Sequence, residues 1–248
     1  MKTFKPTFLI AILLCFSFNF SIAQQRYQVH VDEVKPSMVQ EYEKVSKEFV
    51  EACKKHKPAT SWITAVTSDL KYMSVTPMEN FAELDKNPFE AMAKAMGDDF
   101  GKLFERFDKC YDSHYSYVLN LSESLTYMPD GISQTQEGKN NRRYYFIHHT
   151  PENGRNLYEA IKGVKDLFAS KNSKMYYRVY HSGFGSKDAF FLVAISSKDD
   201  VDHAQMSKAN DELLGEDAGK VFGNMMKYVE KFEEYSGSIR PDLGYSGN

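Results

Sequence analysis

The chain is predicted to be an α+β protein made of two copies of one β-α-β-β-α unit. Three observations carry that prediction. Gly97-Asp98-Asp99-Phe100-Gly101-Lys102-Leu103-Phe104 recurs as Gly215-Glu216-Asp217-Ala218-Gly219-Lys220-Val221-Phe222, 118 positions later. The same offset brings Leu125-Thr126-Tyr127 onto Leu243-Gly244-Tyr245 and His30 onto His148. Strand and helix periodicities also follow one order in each half, on either side of a polar segment. Self-similarity at a fixed period decides architecture before any single residue does.

The elements follow in order. Residues 27–34 alternate as a strand, with Tyr27, Val29 and Val31 on one face and Gln28, His30 and Asp32 on the other. Ser37 and Gln40 have capping-box spacing, and Tyr42, Val45, Phe49 and Cys53 then form a helical stripe. Lys54, Lys55, His56 and Lys57 suit the negative end of that helix, and Pro58 stops it. Strands are expected over 60–67 and 71–76. Pro88 opens a helical stretch, and a long helix is expected to carry Leu103, Phe107, Cys110, His114 and Tyr117 inward. Residues 129–142 are polar and rich in turn formers, and are read as a linker between unit 24–128 and unit 143–248. The second unit repeats the order: strand 143–149, helix 153–170, strands 175–181 and 189–195, and a closing helix with Phe222, Met225, Val229 and Phe232. Such a unit is the ferredoxin-like split β-α-β pattern. Its helices cover one sheet face, so two fused copies are expected to cover each other's bare face.

Residues 1–23 read as a secretory signal: Lys2 and Lys5, an apolar run from Phe8 to Phe16, and Ser21-Ile22-Ala23 before cleavage. Leu14 ahead of Cys15 does not suit lipid attachment, so the product is expected to be exported and soluble, periplasmic or extracellular. The net charge of −3 becomes more negative once Lys2 and Lys5 are removed. Without a basic stripe, nucleic acid and anionic membrane are poor partners. Export permits a disulfide between Cys53 and Cys110; two buried thiols are the alternative.

The run Val29-His30-Val31-Asp32-Glu33-Val34-Lys35-Pro36, followed by Met38-Val39-Gln40-Glu41-Tyr42-Glu43, resembles the opening of the dimeric α/β-barrel domains, of the NIPSNAP and antibiotic-biosynthesis-monooxygenase types. The resemblance implies a pseudo-dimeric α/β barrel in one chain, monomeric in solution, with a small-molecule pocket between sheet and helices. Some members oxidise aromatic polyketides without a cofactor, and some bind or degrade haem. No motif here carries over a catalytic set, and fold alone confers no reaction.

If Val29, Ile63, Met73 and Val75 face the helices, alternation sends Gln28, His30, Trp62, Thr64, Tyr72 and Ser74 into the space between the units. The corresponding set in the second unit is His148, Tyr176, Arg178, Tyr180, Phe190 and Leu192, with Trp62 and Arg178 equivalent. From these, the candidate ligand-binding residues are His30, Trp62, Tyr72, His148, Tyr176, Arg178 and Tyr180. Each also has a plain structural reading: matched histidines by common descent, a packed tryptophan, an arginine paired to a neighbouring acid. His148 and His149 are adjacent on a strand and point to opposite faces, so they do not chelate together, and no metal site is expected. The glycine-acid repeats lack P-loop spacing and are read as helix breaks. The expected function is binding of a small apolar or aromatic ligand, or a partner, between the units. A cofactor-free monooxygenase or haem-active enzyme comes second and a purely structural protein third.

Overall fold

The computed structural model describes residues 25–247; the expected signal segment and Cys15 lie outside the described residues. Each unit starts as anticipated and then adds an element. In the first, β1 (Arg26–Val34), α1 (Val39–His56), β2 (Ser61–Thr67) and β3 (Lys71–Met78) precede two helices, α2 (Glu90–Met96) and α3 (Asp98–Asp108), and then β4 (Tyr111–Leu121). The second runs β5 (Asn141–His148), α4 (Gly154–Ser170), β6 (Tyr177–Ser182), β7 (Phe190–Ser197), α5 (Asp200–Leu214), α6 (Glu216–Met226) and β8 (Lys231–Ile239), with a short β9 (Tyr245–Ser246) at the end. The fourth strand of each unit corrects the sequence reading, which ran helices through it. His114 and Tyr117 lie on β4, not on a helix, and Phe232 lies on β8.

Capping residues explain most boundaries. Gly97 and Gly215 sit at φ of 57° and 58°, a region costly for residues with a Cβ, and each separates two helices whose second member begins with acids. The repeated motif is therefore a helix break, as its spacing implies. Asp199 caps α5 by accepting a hydrogen bond from the Asp202 N–H at 2.7 Å. Ser37 does not cap α1: a 3-10 turn over Pro36–Met38 precedes the helix, and no side chain caps it. At its other end Lys57 is left-handed and donates its N–H to the Cys53 carbonyl.

The strands follow the order β3-β1-β4-β6-β7-β5-β8-β2, and β2 returns to pair with β3, closing an eight-stranded antiparallel barrel. The units meet at two seams, β4 with β6 and β2 with β8. Alternation sorts every strand between a barrel interior and an outer face under the helices. Tyr27, Val29, Val31, Met73, Tyr117 and Leu119 fill the interior from one side, and Tyr144, Tyr180, Phe190 and Leu192 from the other. The space between the units is thus a packed core. The helix-covered face of the second unit is a second core, centred on Leu157, Ile161, Phe168 and Val179.

The chain ends are exchanged between units. Leu125 and Tyr127, which follow β4 of the first unit, are buried in the core of the second, where Tyr127 bridges to Tyr177. Leu243 and Tyr245, their repeats, are buried against the first unit, where Tyr245 pairs with Trp62 on β2.

Cys53 and Cys110 are free, buried and in different apolar clusters, and burial pushes the Cys53 thiol up to about 12. The alternative of two buried thiols is the one observed.

Arg240 anchors the final tail. Its guanidinium donates to both carboxylate oxygens of Glu43 on α1 and to Asp242, which Lys47 also approaches at 3.2 Å. Hydrogen bonds from Arg240 hold the Asp242 carboxyl down to about 2 and lower that of Glu43. Carboxyls depressed in the folded state stabilise it above their unfolded values, near pH 4, and lose that contribution as pH falls towards 2. Arg240→Met is expected to cost about 1–2 kcal/mol at pH 7, discounted for the part-exposed setting. Urea unfolding should show the gap between wild type and variant closing between pH 4 and 2; a gap constant with pH would contradict this origin.

Candidate functional site

The site is built by cross-strand pairing on the outer face of β1. Directly opposite residues on antiparallel strands share a face. His30 faces Ser116 of β4, and Asp32 faces His114. Three chemistry-bearing side chains and a hydroxyl are thereby set on one patch beneath α1 and α3. The ligating atoms of His30, Asp32 and His114 all lie within 4.8 Å of one another. His30 Nε2 is 3.1 Å from Asp32 Oδ1, and its Nδ1 is 2.9 Å from Ser116 Oγ. A carboxylate only accepts, so Nε2 carries the proton, and in a neutral ring Nδ1 is the acceptor. Asp32 is buried, and its second oxygen accepts a 2.6 Å hydrogen bond from the Tyr42 hydroxyl. Burial, and then the Asp32 carboxylate, raise the Tyr42 hydroxyl far above the ordinary tyrosine value, so it stays a donor. The His114 ring meets His30 edge-on at 5.5 Å and stacks on Tyr111 at 5.3 Å.

This cluster is one end of a cavity of about 620 Å³ between sheet and helices. The opposite wall is aromatic: Phe49 stacks near Trp62 at 5.9 Å and meets Phe89 and Phe104 at 5.3 and 5.6 Å, with Phe107 behind. Trp62 is oriented by its indole N–H, which donates to the Leu243 carbonyl at 3.0 Å, so the exchanged tail helps build the wall. A polar end opposite an aromatic wall is the usual composition of a small-molecule site. The matching space in the second unit holds only about 280 Å³ and is lined by Ile147, Ile161, Val164 and Phe168. The first unit thus holds the larger of the two spaces. A more open groove of about 670 Å³ lies beside Gln134 to Gly138; its charged lining residues are Glu137 and Arg240, the latter committed to Glu43 and Asp242.

The residues expected from sequence divide accordingly. His30 and Trp62 line the cavity, and Gln28, Thr64 and Ser74 with them. They face the helices, and Val29, Met73 and their neighbours face the barrel, so the expected orientation of the first unit is reversed. Tyr72 shares the helix side but is buried against Tyr42, and donates to Glu43 Oε1 at 2.8 Å. His148 is not the positional match of His30. It points into the barrel, packs on Phe190, and lies 2.8 Å from Glu233. A strand has period two, so an odd offset between copies puts residues matched at an even offset on opposite faces. Trp62 and Arg178 fail as equivalents for the same reason. Arg178 and Tyr180 sit inside the barrel, where Tyr180 donates to Gln134. Tyr176 precedes β6 and packs at the edge of Tyr127. Sequence reading missed Asp32 and Ser116, and set His114 aside as a core residue.

No family model matches the chain, and no curated protein does. Solved structures do. An anthrone oxidase-like protein aligns at a TM-score of 0.58 with 11% identity, covering 88% of this chain and 92% of that one. A putative monooxygenase from Lactobacillus acidophilus NCFM aligns at 0.54 with 9% identity, covering 91% and 97%. The fold is the dimeric α/β barrel. Chlorite dismutase from Candidatus Nitrospira defluvii shares it at 0.51 and 9% identity, covering 88% and 92%. In this dimeric α/β barrel both units belong to a single chain.

A haem iron is held by a single histidine in many proteins. Of the histidines that line this cavity, His30 has both ring nitrogens engaged, by Asp32 and Ser116, and the His114 ring is flanked by His30 and Tyr111. The smaller space of the second unit, about 280 Å³, has no histidine in its lining.

Proposed function

We propose that the protein binds a small polycyclic aromatic ligand in the first unit's cavity and removes a proton from it, as the first step of a cofactor-free oxidation. The observation that carries this is the Asp32–His30 pair at the polar end of an aromatic-walled cavity. Asp32 fixes the histidine tautomer and stabilises the imidazolium that forms, and Tyr42 holds Asp32 in place. The ligand's enol or phenol takes over the Ser116 hydroxyl's place at Nδ1 and gives up its proton there. The ligand class suits the wall of phenylalanines and Trp62, on which flat rings stack. It also suits the neighbour described as anthrone oxidase-like. With anthrone, dioxygen would deliver one oxygen to the ring methylene, making the quinone, and the other would leave as water.

Trp62 is the only tryptophan in the chain, so its emission reports on the pocket. Anthrone is expected to quench it saturably, and Phe104→Ala to weaken that binding. Quenching that stays linear in anthrone and is unchanged in the variant would sink the ligand reading.

A second reading is favoured by the convergence of two histidines and one carboxylate, the donor set of non-haem divalent metal centres. Ser116 and Tyr42 would then fix the ring and carboxylate from behind. Cobalt(II) titration separates the two: ligand-field bands lost in His30→Ala support the metal, and their absence leaves the base.

A further inference from the structure

A small cavity in the barrel interior is lined by two arginines and no acid; Glu233, the acid beside His148, is not in its lining. Arg142 on β5 and Arg178 on β6 are 1% and 3% exposed. Both line a cavity of about 60 Å³ in the barrel core, together with Tyr27, Tyr144, Tyr180 and Gln134. No Asp or Glu is among its lining residues. The expected acid partner for Arg178 is therefore not what it meets. Its guanidinium donates to the carbonyls of Ser133 and Gln134 and to Ser196 Oγ, and its Nε has no acceptor among the described residues. Arg142 donates to the carbonyls of Lys139, Asn141 and Gln134.

Carbonyls satisfy N–H groups but neutralise no formal charge. Taking one unpaired cation out of water costs several kcal/mol, and two like charges in one low-dielectric space cost more. Burial and the neighbouring Arg178 pull the Arg142 guanidinium down to about 10, which is the same repulsion seen from one side. Such a pair persists only if negative charge enters with it. The volume is on the scale of a few waters, which suits a monatomic anion and is too small for a long carboxylate.

We infer that the barrel core binds a small monatomic anion, of chloride size, between Arg142 and Arg178. The anion neutralises the pair. Because both arginines also grip the segment 133–139, anion binding would fasten the connection between the units across one barrel mouth. This site is separate from the proposed ligand cavity and does not depend on its chemistry.

The test compares thermal unfolding of the full chain in sodium chloride and sodium gluconate at equal ionic strength. Chloride is expected to raise the melting temperature by about 2–4 °C, since an ion bound only by the folded state stabilises it, whereas gluconate is too large to enter. Arg178→Met is expected to lose the difference. Should that variant fail to fold, bromide-soaked crystals of the wild type decide: anomalous density between the two guanidiniums supports the site. Equal melting temperatures in both salts, with no bromide between the arginines, overturn it.

Discussion

His30→Ala is expected to lower the turnover of anthrone by about 10²–10⁴-fold, measured as oxygen uptake, with binding changed far less. The argument is positional. His30 is the one ring held by a buried carboxylate on one nitrogen while its other nitrogen faces a replaceable hydroxyl. Removing it takes away the proton acceptor but leaves the aromatic wall, so Trp62 quenching should survive. Asp32→Asn should follow in the same direction, since an amide can hold the ring in the other tautomer. His148→Ala serves as the contrast. That ring lies inside the barrel beside Glu233, remote from the cavity lining, and its loss should leave turnover per folded molecule unchanged. Equal losses in both histidine variants would remove the assignment.

The second large effect is on stability, and it differs between the two copies. Leu157 on α4 is fully buried in the second unit's core. Leu157→Ala should cost about 2–5 kcal/mol, the lost transfer energy plus the cavity left behind. Phe49 on α1 lines the open cavity of the first unit, where one side of the ring already faces space. Phe49→Ala should therefore cost at the low end of, or below, the usual ~3–5 kcal/mol for a buried phenylalanine. It should also weaken anthrone binding. Urea unfolding of both variants checks this, and equal destabilisation would mean the first unit's space is as tightly packed as the second's.

Much of this architecture is legible in the sequence, but the placement of side chains less so. The glycine-acid repeat identifies the duplication because two helix breaks need the same backbone geometry. Alternation finds β1, yet it defines two faces without saying which one is dry. The reading that Val29 faces the helices fails because a closed barrel excludes water more completely than a helix layer with a pocket beneath it. Gln28, His30 and Asp32 form the wetter set, and their polarity was the available clue. β4 reads as helix because Leu103, Phe107, Cys110, His114 and Tyr117 fall at spacings of three and four. The tyrosine-rich run from Tyr111 to Leu121 has strand composition, and that signal should have outweighed the spacing. Asp32 was invisible as a site residue because its partners, Tyr42 and His114, come from a helix above and a strand beside it.

The swapped ends carry a consequence for how such a chain can exist at all. Each half wears its sibling's final residues as part of its own wall, and Leu243 even sets the tilt of the indole that floors the pocket. Neither half is self-sufficient, so the site in one is hostage to whether the other has finished folding. That dependence gives the more tightly packed copy a use: it is the workbench on which the hollow copy is completed.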